Sequence, residues 1–406
     1  MRGFRHRVPV EEARDVALAG VTRLAAETVL LDSCAGRVLV GDVTSGVDVP
    51  PFRRATMDGY AVRAEDTFGA SAYSPLPLAI VGESLPGTVP AAGLENGSAL
   101  RIMTGAPVPD DADAVLRAED ATERAGTVEV RAPVAVGKNV SRIGEDIEIG
   151  DRVLADGRRL LPQDVGLLAS IGHSPVEVVR RPAVRVIVSG DELLAPGATP
   201  QGTSIVDSNS PMLAALVKRD GGDAEVVRVR DDRDAMYAAL GSPGADVIVT
   251  AGAASVGTED RVPLLVAELG ELLVHGVAMR PSSPTGVGRI AGAPVLILPG
   301  NPVSCLVAYD FFAGPVIRRM AGLPEDWPYR SLLMPLAGRL VSQIGRVDYA
   351  RVRVDSAGAH PLAISGASVL SSVTRARGFV VVPAGLEGYA EGVEVEVHLY
   401  DADAPT

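Results

Sequence analysis

From Pro182 to about Gly300 the sequence alternates short, Val-rich apolar runs with stretches of helical periodicity. VRVIVSG is followed by a helical pattern through MLAALVKRDGG, AEVVRVRDD by one through AMYAAL, and DVIVTAG by one through VPLLVAEL; VHGVAMR and PVLILPG then lead to a last helix. Strands alternating with helices give a parallel sheet with crossover connections, and strands apolar on both faces need helices on both sides. The region therefore predicts a doubly wound α/β domain, whose ligands sit beyond the carboxyl ends of the strands.

The flanking segments have other rhythms. Residues 9 to 31 place apolar side chains at helical spacing behind Pro9, with Glu11 and Glu12 early, and predict an opening helix. From Leu39 to about Asp146 short runs such as PLAIVGES, SALRIMTG, DAVLRAED and GTVEVRAP predict a small all-β unit. GEDIEIGDRVLADGRRLLPQDVGLLASIG then reads as two strands and a helix starting after Pro162, and beyond Pro328 alternating strands (LLMPLAGRL, DYARVRVD, GFVVVPAG, VEVEVHLY) suggest a separate β-domain.

With 406 residues, 47% of them hydrophobic, the chain can bury large cores and divide into two to four domains. A formal net charge of −13 repels phosphate backbones and anionic lipid, so nucleic acid is not an expected partner and any anionic ligand needs a local cluster of donors. Cys34 and Cys305 form neither a disulfide framework nor a zinc site, which fits a reducing cytoplasm. The N-terminus carries charges where a signal peptide would be apolar, and no run is long enough to span a bilayer.

Four strand ends carry candidate chemistry. VIVSGDELLAPG puts Asp191 and Glu192 past a strand, as paired carboxylates for Mg²⁺ or with Asp191 as a helix cap. SIVDSNSPML puts Asp207, Ser208 and Asn209 before a helix, for capping or ligand contact. In DVIVTAGAASVGTED, Gly252, Ser255 and Gly257 precede Asp260; in VLILPGNPVSCLVAYD, Gly300, Asn301 and Ser304 open a helix whose amides could hold a phosphate. Either glycine-rich junction alone could be a plain turn. There is no GxxxxGK and no GxGxxG after a strand, hence no P-loop and no dinucleotide fingerprint. Cys305 reads as a packed core cysteine, and His173 and His275 as structural. The β-rich region adds VPPFRRATMDGYAVRAED and LRIMTGAPVPDDADAV, both dense in polar residues for surface hairpins.

These segments, in this order, resemble the molybdopterin molybdenumtransferase family, the MoeA proteins and the E domain of gephyrin. The resemblance covers nearly the whole chain: PPFRRATMDGYAVRAED is similar to the family's PPF-x-x-S-x-MDGYA signature, and RIMTGAPVPDDADAV, GEDIEIGD, LPQDVGLLASIG, SGDEL, DSNSPML, LPGNPVSCL and LSSVTRARG to its other blocks. It implies an elongated, multi-subdomain fold of α/β and all-β parts around a MogA-like α/β domain. The parts would be residues 1–46 with 147–181, a β-rich insert 47–146, the α/β domain 182–327 and a C-terminal β-barrel-like part 328–406. It further implies a homodimer whose cleft lies between the α/β part of one subunit and the insert of the other. The implied reaction inserts molybdate into adenylylated molybdopterin with Mg²⁺ and releases AMP, yielding molybdenum cofactor.

Carried over position by position, the resemblance implies Asp58, Thr104, Asp146, Glu192 and Asp260 as catalytic, and Asp191, Glu192 and Asp232 as holding metal. It implies Ser208, Gly252, Ser255, Gly257, Arg280, Ser283, Gly300, Asn301, Arg346 and Ser371 as cofactor-binding. Two loops depart from the family pattern. TAGAASVG has Ala253 where the family reads T-x-GG-x-S-x-G, and Met279-Arg280-Pro281-Ser282-Ser283-Pro284 replaces M-K-P-G-K-P, so the second lysine becomes Ser283. These departures keep a second expectation open, a gephyrin-like scaffold dimer that binds a partner peptide through its C-terminal part or dimer surface. Gephyrin's E domain clusters receptors in this way, and actinobacterial gephyrin-like paralogues are linked to the division protein FtsZ.

Overall fold

The computed structural model describes residues 7–89, 93–252 and 261–401. The described residues form two compact units, one over 7–27, 36–38 and 178–401, the other over 28–35 and 39–177.

The first unit contains a six-stranded sheet in the spatial order Asp223–Val229, Ala183–Ser189, Val247–Ala251, Ala293–Leu298, Gly286–Ile290, Glu271–His275. The first four strands run parallel, and the last two form antiparallel pairs. Helices Asn209–Arg219, Arg233–Gly241 and Val262–Leu269 supply the crossovers. Sequence reading passes over Gly286–Ile290, because GVGRI lacks a β-branched run. The structure makes it a strand of a hairpin whose turn residues, Ala291 and Gly292, both have positive φ, as a two-residue turn matching strand twist requires. VHGVAMR is also divided: Glu271–His275 stays in this sheet, whereas Met279–Arg280 pairs with Val347–Asp348 in a second sheet built from the C-terminal strands.

One buried cluster joins the two sheets. It runs from Val10 and Ala13 through Val186 and Val249 to Phe312, Tyr349 and Phe379. The opening helix is shorter than the expected span of 9 to 31: it covers Val10–Leu18, stops before Gly20 at φ 69°, and the chain becomes extended at Ala26–Val29. A glycine that takes a left-handed conformation ends a helix despite apolar periodicity beyond it.

The second unit is built on a six-stranded sheet ordered Ala114–Arg117, Gly59–Val62, Ser98–Ile102, Leu76–Ser84, Thr127–Val130, Ala121–Arg124. Val62, Ala99, Leu116 and Val128 fill one of its faces. Helix Pro162–Ser170 belongs to this unit; Asp164 accepts the Leu161 amide and pairs with both Nε and Nη2 of Arg158 at 2.9 Å.

Candidate active site

Parallel strands Ala183–Ser189, Val247–Ala251 and Ala293–Leu298 end together, and beyond them lies a cavity of about 560 Å³. Its floor is backbone at very close approach. Gly252 has φ 108°, and a Cβ there would meet the Ser189 carbonyl oxygen at 2.6 Å; a Cβ on Gly300 would meet the Gly252 Cα at 3.3 Å. Only glycine permits both the conformation and the contact at position 252. Asn209, in the first turn of its helix, donates Nδ2 to the Gly300 carbonyl at 2.7 Å and so ties the second strand-end loop to the fourth.

The polar wall is acidic with two cations. Glu192, Asp231, Asp232, Arg230 and Arg261 line the cavity together with Ser189, Gly252, Gly300 and Asn301. Asp191 is exposed and accepts the Asp231 amide at 3.4 Å. No helix follows Asp191, which overturns capping as its alternative role; the next element is the two-residue strand Leu193–Leu194. Asp232 caps helix Arg233–Gly241 through Oδ1, which accepts the Ala235 amide at 2.9 Å. Asp207 is the cap at the second junction: it accepts the Ser210 amide at 2.9 Å and hydroxyl at 2.5 Å, and Nε of Arg228 at 3.0 Å. Burial pushes its pKa up, but the Ser210 and Arg228 hydrogen bonds outweigh burial and hold it below the usual carboxylate value. Ser208 stands half-buried beside it and caps nothing with its side chain. Among the described residues no three His, Cys, Asp or Glu side chains are grouped to hold a metal.

The fourth junction differs from expectation at its amides. Pro302 has no N–H, and the Val303 amide donates to the Ala367 carbonyl at 2.9 Å, so neither is open to a phosphate. Cys305 is fully buried, and burial pushes its thiol pKa up, consistent with core packing. Ser255, Gly257 and Asp260, with Ala253, lie outside the described residues.

A second polar cluster joins the Met279–Pro284 loop to the C-terminal sheet. Asp348 is fully buried; its Oδ2 accepts Arg280 Nη2 at 2.5 Å and Ser342 Oγ at 2.8 Å, and its Oδ1 lies 3.1 Å from Arg346 Nε. Arg280 and Arg346, implied separately by the sequence, thus meet on one carboxylate that sequence reading did not single out. Arg280 Nε and Ser283 Oγ are buried without hydrogen-bond partners among the described residues. Ser371 is exposed at the start of helix Ser371–Thr374, where its carbonyl accepts the Thr374 hydroxyl and Arg375 Nε.

In the second unit, Asp58 and Thr104 form a pair. The Thr104 amide and hydroxyl donate to Asp58 Oδ1 at 2.7 and 2.8 Å, which holds the exposed Asp58 carboxyl below its ordinary pKa. Gly59 follows because a Cβ there would sit 1.9 Å from the Leu116 carbonyl oxygen of the neighbouring strand. Asp146 is exposed in the turn whose next residue, Ile147, bridges Val49. Met57 and Met103, the residues that precede Asp58 and Thr104 in sequence, are exposed large apolar side chains, as are Phe52 and Ile143.

Comparison with known proteins matches this architecture along almost its whole length. Residues 8–172 match the MoeA N-terminal region (domain I and II), residues 185–319 a probable molybdopterin binding domain, and residues 334–400 the MoeA C-terminal region (domain IV). The chain is 35% identical over 385 residues to molybdopterin molybdenumtransferase 2 of Mycobacterium tuberculosis, covering 91% of this chain and 94% of that one. It is 31% identical over 408 residues to the molybdopterin molybdenumtransferase of Staphylococcus aureus, covering 98% and 97%. The crystal structure of a MoeA molybdopterin biosynthesis protein from Pyrococcus horikoshii superposes with a TM-score of 0.81 at 35% identity, over 98% of this chain and all of that one. The chain therefore belongs to the MoeA family of molybdopterin molybdenumtransferases, transferases of molybdenum cofactor biosynthesis.

Proposed function

We propose that this protein inserts molybdate into adenylylated molybdopterin, releasing AMP, and does so as a cytoplasmic homodimer. The observation that supports this most is the strand-end cavity of about 560 Å³, walled by glycine backbone and rimmed by Glu192, Asp231, Asp232, Arg230 and Arg261. Its size suits a small ligand, and its mixed charges suit a phosphorylated one only if the carboxylates are bridged. Mg²⁺ fits that donor set, since it binds through one or two carboxylates plus substrate phosphates and does not need an all-protein cage. Asp191, Glu192 and Asp232 are not grouped as a three-carboxylate site among the described residues, so Glu192 and the remaining oxygen of Asp232 would hold it only together with substrate phosphates. When bound, it neutralises phosphate charge.

The chain's own residues orient the two substrates. Arg230 and Arg261 offer fixed positive charge at the cavity rim. Arg280 and Arg346, with the Ser283 hydroxyl, which has no partner among the described residues, would receive the molybdate oxyanion; because they share Asp348, two guanidinium charges and one carboxylate leave one net positive charge there. Most of the catalysis would then be placement and charge compensation. Asp58, Thr104 and Asp146 would complete the cleft of a second copy, and the four-part division into 1–46 with 147–181, 47–146, 182–327 and 328–406 belongs to the same reading. The test is incubation of the purified protein with adenylylated molybdopterin, Mg²⁺ and molybdate: AMP should appear in step with molybdenum cofactor, and no AMP above a protein-free control would overturn the proposal.

One observation favours a scaffold role beside this one. A cavity of about 650 Å³ is lined by Arg14, Trp327, Tyr329, Tyr389 and His398, an aromatic surface of the kind that receives apolar peptide side chains. Titration with the division protein FtsZ tests it; binding lost in Trp327→Ala supports a scaffold, and absence of binding removes that reading.

A further inference from the structure

Arg351 lies within strand Val347–Asp355 and is fully buried. No carboxylate among the described residues pairs with it; the titratable groups facing it are Tyr349 and Tyr400. Its guanidinium instead donates to three carbonyls at the end of strand Gly358–Ala363 and in the loop that follows: Nε to Ala363 at 3.2 Å, Nη1 to Gly366 at 3.5 Å, and Nη2 to Ser365. Burying a cation against carbonyl dipoles alone is costly, and an apolar side chain would fill the same core without that cost. Its place in the fold indicates what the arrangement achieves.

The loop held by Arg351 runs straight to the strand-end cavity. Its next two residues grip the start of helix Pro302–Ala308: the Ala367 carbonyl accepts the Val303 amide at 2.9 Å, and exposed Ser368 donates Oγ to Asn301 Oδ1 at 2.8 Å. Asn301 and Gly300 line the cavity, and Asn209 holds Gly300 from the other side. The same strand carries Asp348, which holds Arg280, and the Arg280 loop reaches this helix through Ser282 Oγ, which donates to the Ser304 carbonyl at 2.6 Å. Two buried charges, three residues apart on one strand, therefore fix both loops that flank the first turn of the helix.

We infer that Arg351 is a positioning residue for the cavity wall, acting through the 363–368 loop on Asn301 and Val303 to set the affinity for the pterin substrate. This rests on the reading of the strand-end cavity as the substrate site. Arg351→Met, Arg351→Lys, Ser368→Ala and the Arg351→Met/Ser368→Ala double variant of the full chain test it by KM and kcat, by amide exchange at Val303 and by melting temperature.

Arg351→Met should raise KM for adenylylated molybdopterin about tenfold with a much smaller change in kcat. It should also accelerate exchange at Val303. Arg351→Lys, which keeps a donor to the carbonyls, should recover part of both effects. Ser368→Ala, a surface change that leaves the core intact, should act in the same direction, and the double variant should be no worse than Arg351→Met, because both lie on one chain of contacts. A lowered melting temperature with Val303 exchange and KM unchanged in the folded variants would overturn the inference. If the wild-type protein releases no AMP, the functional reading fails by itself; Val303 exchange and equilibrium binding of molybdopterin in the same variants then decide the role of Arg351.

Discussion

Asp58 and Thr104 are 46 positions apart in sequence, yet both hydrogen bonds that depress the Asp58 pKa come from Thr104. MDGYA and MTGAP are legible as unusually polar segments, but only strand pairing of Gly59–Val62 with Ser98–Ile102 brings them together, and no local pattern encodes that register. A carboxyl whose pKa is lowered in the fold remains ionised until the pH falls through the depressed value. Thr104→Val keeps the amide donor and removes the hydroxyl, so the Asp58 pKa should rise and the acid limb of the pH–activity profile should move to higher pH. An unchanged limb would show that Asp58 does not act as an anion in turnover. At the second cluster, Lys138 and Lys218 are the only lysines in the sequence, so Arg280 follows a chain-wide preference for arginine, whereas Ser283 is a loss of charge. Ser283→Lys should raise molybdate affinity by about one to two decades, the worth of a charged hydrogen bond of about 1.5–3 kcal/mol, measured by calorimetric titration with molybdate. Asp348 escaped sequence reading because an acid within an apolar strand looks like an edge residue until its two arginine partners are placed.

The elements that were legible are those whose information is local. Alternation of strands and helices between Pro182 and Gly300 is a matter of periodicity, and the parallel sheet follows from it. What periodicity cannot report is partnership over distance: Gly286–Ile290 is a strand because it lies against Ala293–Leu298, and Met279–Arg280 belongs to the other sheet because Val347–Asp348 lies beside it. The glycine junctions illustrate the same division. Gly252 and Gly300 were visible as small residues after strands, but their roles differ in the structure. A methyl at 252 would press on backbone at 2.6 Å in a left-handed conformation, while one at 300 would meet backbone at 3.3 Å. Gly252→Ala should therefore cost about 1–3 kcal/mol of stability and most of the substrate affinity. Gly300→Ala should cost less of both. Chemical denaturation and pterin binding on the two variants check this, and equal effects would contradict the close packing of the strand ends.

At the scale of the molecule, a net charge of −13 sets a potential opposed to an anionic substrate, so binding depends on gathering the few cations where they are needed. On the proposed reading the first unit does this at Arg230, Arg261, Arg280 and Arg346. On the same reading the second unit contributes carboxylates, Asp58 and Asp146. The homodimer reading assigns those two contributions to different copies, and complementation distinguishes this from a cleft built within one chain. Asp58→Asn and Glu192→Gln should each abolish AMP release. In a dimer formed from one chain of each kind, a cleft that takes Asp58 from one copy and Glu192 from the other leaves one site with both substitutions and the other site with neither. Random exchange makes half of the dimers mixed, and half of their sites are intact, so mixing the two inactive proteins should restore about one quarter of wild-type activity. A cleft built from a single chain would give every site one substitution, and the mixture would stay as inactive as its parents.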